Sequence, residues 1–319
     1  MDSFVSYGLR KAYDRLAKLG DPLAGVNTLI VWERFRPIAE ELYDNKTERG
    51  GHPNIDCVMM IKILVLQQWY GLSDQRMERE LASNISFINF LGYPETIPDS
   101  TTIWLFRERL TEKDKINVIW QELQRQLDSG GLVVKEGSIQ DATFITADPG
   151  RSGNEPRGYE ARTRRSKDGT WAKKGDEIHF GYKLHNNVDV EFGLIRAIET
   201  TTASVHDSQV DLSSENLRVY RDKGYFGAPA KGKSVTMSRA TRGHPLCRWD
   251  RLRNLQISRI RAPGERPFSV IKTVFKAAHV FVTTVQRVNV KMVFTAVAYN
   301  LYQLRSLERA GLVLSSVSC

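Results

Sequence analysis

Cysteine is nearly absent: Cys57, Cys247 and Cys319 lie far apart in 319 residues, and no Cys-x-x-Cys pair occurs. That spacing excludes a zinc knuckle and a disulfide framework, so the thiols are expected to be reduced, with Cys57 and Cys247 as buried filler. Long apolar runs are also missing. Lys62 interrupts the run from Met60 to Leu66, and Arg287 and Lys291 interrupt the C-terminal one, short of the ~18 to 20 apolar residues that a membrane helix needs. No membrane partner is therefore expected. The opening MDSFVSYGLRKAYDRLAKLG carries Asp2 and Asp14 and no apolar core, so it does not read as a secretion signal, and a cytoplasmic protein is expected. With Gly 23 and Pro 11, collagenous and low-complexity architectures are excluded as well.

What is there fits a folded protein of about two domains, at roughly 150 residues each. The charge is unevenly spread. Residues 1–150 carry 17 Lys+Arg against 22 Asp+Glu, and residues 151–319 carry 29 against 15, so a first half at −5 precedes a second at +14. Residues 231–290 alone hold 13 basic residues with only Asp250 and Glu265 as acids. A solvated helix face does not require that density, whereas a phosphate chain does.

Between Leu23 and Leu127 apolar residues recur at helical spacing, as in Ile55, Val58, Met59, Ile61, Leu64, Val65 and Trp69, and again in Ile103, Phe106 and Leu110. The first half is predicted to be helical. Gly71-Leu72-Ser73-Asp74 and Pro98-Asp99-Ser100 supply the caps of two helices. Joined through a short segment, these form a helix-turn-helix in which Thr101, Thr102 and Arg107 meet DNA; equally, two capped helices can simply pack. Trp104 and Phe106 are expected in the core.

Ser129-Gly130-Gly131 breaks the chain and sets a boundary between domains 1–130 and 131–319. Beyond it, 138–143, 179–185 and 194–200 are β-prone, the last two as a hairpin, and 149–178 is polar and basic enough for a long surface loop. Lys183 and His185 alternate with Tyr182 and Leu184, which predicts a face away from the core and open to DNA. A short helix near His206-Asp207-Ser208 leads to a buried strand at 217–222. After a basic insertion, Phe268, Ile271, Val274 and Phe275 share a helix face, and a last helix runs from Met292 past Tyr299 until Gly311 ends it.

Acids stand at telling positions. Asp141 and Asp222 end predicted strands, and Glu265 opens a helix in the most basic stretch. Singly these are a strand-end cap, a turn-former and a helix N-terminal acid. Together, beside a segment at +11, they can converge on divalent cations, Mg²⁺ taking oxygen ligands, for an in-line phosphoryl transfer. His206-Asp207 reads as a cap with a local hydrogen bond and is left outside that set.

The strings Asp141-Ala142-Thr143, His179-Phe180-Gly181-Tyr182-Lys183-Leu184-His185, Val205-His206-Asp207-Ser208, Arg221-Asp222-Lys223-Gly224-Tyr225-Phe226-Gly227 and Glu265-Arg266-Pro267-Phe268-Ser269-Val270-Ile271-Lys272 resemble the DDE transposases of bacterial and archaeal insertion sequences, and among them the IS-five-like branch. The stretch from Val31 to Leu110 resembles the helical domain that precedes their catalytic core. Their block Tyr-x2-Arg-x3-Glu-x6-Lys is met by Arg261, Glu265 and Lys272, with Ser258 where the tyrosine stands. Pro263-Gly264 also departs from the family pattern and is expected to set Glu265 at a helix start.

The resemblance implies an α/β protein: an RNase H-like mixed sheet preceded by an all-helical domain, with Asp141 on the first strand, Asp222 after the fourth and Glu265 on a later helix. It implies an enzyme using two-metal-ion chemistry on DNA, with these three acids as catalytic residues and ligands to Mg²⁺, replaceable by Mn²⁺. Lys272 is expected two turns from Glu265, aimed at a phosphate. Arg261 is either a phosphate contact or a carboxylate orienter, and Lys183, Arg287 and Lys291 are DNA contacts. The implied partners are double-stranded DNA, as element ends and target, and further copies of the chain on DNA in the cytoplasmic nucleoid. Two other readings stay open: a DNA-binding protein without chemistry, and an RNase H-like nuclease that does not transpose.

Overall fold

The computed structural model describes residues 4–44, 53–150 and 166–312. The chain divides into two compact units, Met1–Gly131 with Leu301–Cys319, and Leu132–Asn300.

The first unit is helical: α1 (Phe4–Lys18), α2 (Arg36–Glu40), α3 (Cys57–Tyr70), α4 (Asp74–Ser83), α5 (Ile85–Phe90), α6 (Ser100–Glu112) and α7 (Ile116–Ser129). Its helix starts are written locally. Asp56 accepts the Met59 N–H at 2.8 Å, Ser73 that of Arg76 at 3.3 Å and Asp99 that of Thr102 at 2.7 Å, each satisfying an N–H that has no partner within its helix. Helix α3 is apolar on every side and buried along nearly its whole length, so it forms the unit's core. Gly71 ends it at φ +62°, a left-handed turn that glycine takes without a Cβ penalty.

Three expectations for this unit change. Helix α5 intervenes between α4 and α6, so the two capped helices are not joined by a short turn. Arg107 makes a bidentate pair with Asp74, both bonds at 2.8 Å, and reaches Gln67 at 3.2 Å, tying α6 to α4 and α3. The guanidinium expected on DNA thus holds helices together. On α6, Ile103, Phe106 and Leu110 are buried, but Trp104 is 47% exposed and turns outward with Leu105, against the expectation of a core position.

The second unit is built on a seven-stranded mixed sheet: β1 (Ser138–Ala147), β2 (Thr170–Lys174), β3 (Glu177–Asp189), β4 (Ile195–Thr202), β5 (Arg218–Arg221), β6 (Lys233–Thr236) and β7 (His279–Val280). The path is β2-β3-β1-β5-β6, with β4 on β3 and β7 on β1. Strands β2, β3, β4 and β1 pair antiparallel, while β5 and β7 run parallel to β1 and β6 parallel to β5. Helix α8 (Arg248–Arg261), a 3-10 turn (Ala262–Gly264), α9 (Glu265–Ser269), a π-helical segment (Val270–Val274) and α10 (Val285–Arg309) follow. This is the expected α/β order with an RNase H-like mixed sheet.

Several local expectations are corrected. Strand β2 forms within the predicted surface loop, of which residues 151–165 lie outside the described residues. The helix near His206 is a single 3-10 turn, Asp207–Gln209, capped by the His206 side chain. The basic insertion folds as β6 and α8. Helix α9 stops after five residues, and the π segment leaves Val274 48% exposed while Phe268, Ile271 and Phe275 are buried. Cys247 is exposed and caps α8, its Sγ accepting the Asp250 N–H at 3.4 Å. Cys319 lies outside the described residues.

Lys183 and His185 are buried, not solvent-facing. The chain at 205–212 crosses their face of the sheet: Lys183 Nζ donates to the Val205 carbonyl at 2.7 Å and the Asp207 carboxylate at 2.8 Å, and Asn187 donates to the Leu212 carbonyl at 2.9 Å. Burial lowers the His185 imidazole to about 4, so the ring there is neutral.

Behind the same face sits Arg221, fully buried. Its Nε and Nη2 donate to Gln140 Oε1 at 3.2 and 2.8 Å, Nη1 donates to the Pro229 carbonyl at 2.9 Å, and Nη2 pairs with Asp211. Gln140 in turn donates to the Val210 carbonyl at 2.6 Å and accepts the Leu212 N–H. This network ties β5 to β1. Arg221→Met keeps volume but strands Gln140 Oε1 and Asp211 without their cation, so chemical denaturation should show a loss of about 3–5 kcal/mol; an unchanged denaturation midpoint would mean the network carries no stability.

Candidate active site

Side chains alternate across a strand, so Gln140 and Arg221 on one face put their neighbours Asp141 and Asp222 on the other. The parallel register pairs Ser138 with Val219 and Ile139 with Tyr220. Asp222 follows the last residue of β5, on the side toward which that register leads to Asp141, and its charge acts on the Asp141 carboxyl.

The same face carries a small apolar cluster of Ile139, Tyr220 and Ile257, the last from α8. Four helical residues advance about 6 Å and two strand residues about 6.6 Å. Arg261, four residues after Ile257, therefore arrives over Asp141, two after Ile139. Its Nη2 donates to Asp141 Oδ2 at 2.8 Å while the Ala142 N–H holds Oδ1 at 2.8 Å. The Arg261 guanidinium thus meets a carboxylate in this structure. Burial pushes the Asp141 carboxyl above its ordinary value, opposed by Arg261, with Asp222 and Asp207 pushing it up further. Asp222 accepts the Gly224 N–H at 2.8 Å and caps a 3-10 turn, Lys223–Tyr225.

Glu265 is the first residue of α9 and is exposed, at the helix start expected from Pro263-Gly264. Gly264 has an ordinary φ of −66°, so its reason lies in packing: a Cβ there would meet Ile139 Cγ2 at 2.6 Å. The missing side chain lets the turn press onto β1 two residues before Asp141. Ser258 is exposed on α8. Lys272 lies in the π segment, so the two-turn α-helical spacing from Glu265 does not apply; it is half-buried, and burial together with Lys174 lowers its ammonium below the usual lysine range. Arg287 and Lys291 are half-buried on α10, and neither stands free. Thr101 is exposed and Thr102 half-buried in the first turn of α6.

Residues outside the sequence-based set also border the aspartates. Asp207, read as a cap neighbour, adds its field to Asp141 and is held by Lys183. Asn186 pairs directly with Asp141 across β1 and β3, fully buried, with neither amide atom hydrogen-bonded. Tyr225 is buried, with its hydroxyl unpartnered. Asn186 and Asp207 are brought to the pair by neighbours distant in the chain, whereas Tyr225 lies three residues after Asp222 in the same turn.

A profile described as the transposase DDE domain matches residues 134–301, more than half of the chain, and one described as a transposase domain (DUF772) matches residues 11–109. The chain belongs to the DDE transposase family. No solved structure matches it. Membership implies a phosphoryl-transfer enzyme family that acts on DNA with a divalent metal, and it agrees with the helical unit ahead of an RNase H-like mixed sheet. No helix among the described residues is long and apolar enough to cross a membrane.

The aspartates of this transposase fit a hard divalent cation. Two adjacent carboxylates present oxygen donors, and Mg²⁺ binds through one or two carboxylates while keeping several waters. Among the described residues no group of three His, Cys, Asp or Glu side chains is arranged to hold a metal, and the exposed Glu265 is not gathered with the pair. Gly264→Ala should cost about 1–3 kcal/mol in urea denaturation, because the new methyl must push the turn off Ile139; wild-type stability would show that the close approach is not required.

Proposed function

We propose that this DDE transposase is of the IS-five-like branch and carries out cleavage and strand transfer of an insertion sequence. Hydrolysis of a phosphodiester at the element end frees a 3′ hydroxyl, and attack of that hydroxyl on a target phosphodiester forms the new ester bond as the target strand's own 3′ hydroxyl leaves. The observation that carries the reading is Asp141 on β1 with Asp222 directly after the parallel strand β5, backed by Arg261, with Asp222 and Arg261 in the half of the chain at +14.

Asp141 and Asp222 would hold Mg²⁺, or Mn²⁺ in its place, with Glu265 as the third acid brought to them when DNA is bound. Bound there, the cation supplies Lewis-acid stabilisation of phosphoryl oxygens and a lowered pKa for water. Arg261 fixes the orientation of the Asp141 carboxylate. Lys272, beside Lys174, offers positive charge to a phosphate, as do Arg287 and Lys291 along α10. No side-chain nucleophile is needed, so the residues act by positioning and charge neutralisation.

Residues 1–130 serve as the helical DNA-binding domain, with Thr101 and Thr102 at the start of α6, and residues 131–319 as the catalytic domain. The partners are the two element ends and target duplex, bound by a homo-oligomer in the cytoplasmic nucleoid. A second reading, DNA binding without chemistry, is favoured by the exposed Glu265.

Purified protein incubated with DNA flanking its gene and Mg²⁺ or Mn²⁺ at fixed salt should nick at a defined end, and Asp222→Asn should lose that activity by about a hundredfold or more while still binding. If both proteins bind the ends and neither cuts with either metal, the second reading replaces the first.

A further inference from the structure

Tyr225 closes the 3-10 turn that Asp222 caps, its N–H donating to the Asp222 carbonyl at 3.3 Å. The ring lies against the buried Arg221 guanidinium, 5.3 Å from the centroid, and the residue is 1% exposed. Packing accounts for the ring but not for the hydroxyl. A buried O–H without a partner costs about 1–3 kcal/mol, and phenylalanine would fill the same space without that cost.

The hydroxyl's surroundings are anionic: after burial itself, Asp207, Asp141 and Asp222 each push the phenol above its ordinary range, so it remains a protonated donor among three carboxylates. Most of those oxygens are engaged. Asp141 uses one on Arg261 and one on Ala142, Asp207 uses Oδ1 on Lys183, and Asp222 uses Oδ1 on Gly224. Two of these oxygens have no hydrogen-bond partner among the described residues, one on Asp207 and one on Asp222, and the Asp222 oxygen belongs to the residue that caps Tyr225's own turn, three positions away. Hydrogen bonds of this kind are often long in the free enzyme and tighten in the loaded one.

We propose that Tyr225 is a positioning residue of this site: its hydroxyl donates to the Asp222 carboxylate and fixes the orientation in which that carboxylate holds the divalent cation. The proposal rests on the reading of Asp141 and Asp222 as the metal-holding pair. Groups that orient metal ligands in this way typically contribute about 10–100-fold to metal affinity or activity.

Tyr225→Phe removes one oxygen and leaves the ring on Arg221. The test is thermal unfolding of full-length wild type, Tyr225→Phe and Asp222→Asn across a Mn²⁺ titration, with DNA-end cleavage measured in parallel. Without metal, Tyr225→Phe should melt at or above the wild-type temperature. With Mn²⁺, its half-saturating concentration should rise about tenfold or more and cleavage should fall about 10–100-fold, while Asp222→Asn loses most of the metal-induced shift. A Tyr225→Phe titration that overlays wild type, with Asp222→Asn still defective, overturns the role of Tyr225 and leaves the aspartate pair standing. A full Mn²⁺ response in Asp222→Asn overturns the pair, and the proposal falls with it.

Discussion

The buried pairing of Arg221 with Gln140 sets the site's geometry. It joins the strands carrying the two aspartates, and each partner is the residue immediately before one of them. A slip of one residue would turn each side chain to the opposite face. By fixing register on the covered face, the network brings Asp141 and Asp222 together on the other. A buried guanidinium is costly unless fully satisfied, and here Gln140, the Pro229 carbonyl and Asp211 supply its acceptors.

On the aspartate face the logic is one of matched rises. Helix α8 seats Ile257 on Ile139 and Tyr220, and one turn later Arg261 meets Asp141. The chain then tightens into a 3-10 turn whose Gly264 lies against Ile139, and α9 opens with Glu265. Apolar packing beneath the acids thus positions the charged groups above it. The π segment that follows carries Lys272 off α-helical phase.

What could be read in the sequence was chemistry that acts locally. The caps at Asp99 and Ser73, the strand end before Asp222 and the helix start at Glu265 all depend on residues within a few positions, whereas Asp141, expected at a strand end, lies inside β1, which runs on to Ala147. Arg107 was misread because Asp74 and Gln67 are distant in the chain, and Lys183 and His185 because period-2 alternation does not reveal that residues 205–212 cover their face. Helix α8 was hidden for another reason: Asn254 and Ile257 are its buried residues, while Trp249, Leu252 and Leu255 are exposed, so no inward apolar stripe exists to be seen. Trp104 shows the converse, an aromatic at helical spacing that faces outward.

The most direct test of this account is the location of manganese in crystals of the protein grown with Mn²⁺, by anomalous diffraction. The account predicts a peak contacting both Asp141 and Asp222, with oxygen distances of about 2.1 Å. Well-ordered aspartates with no manganese on either, in crystals that hold it elsewhere, would contradict it.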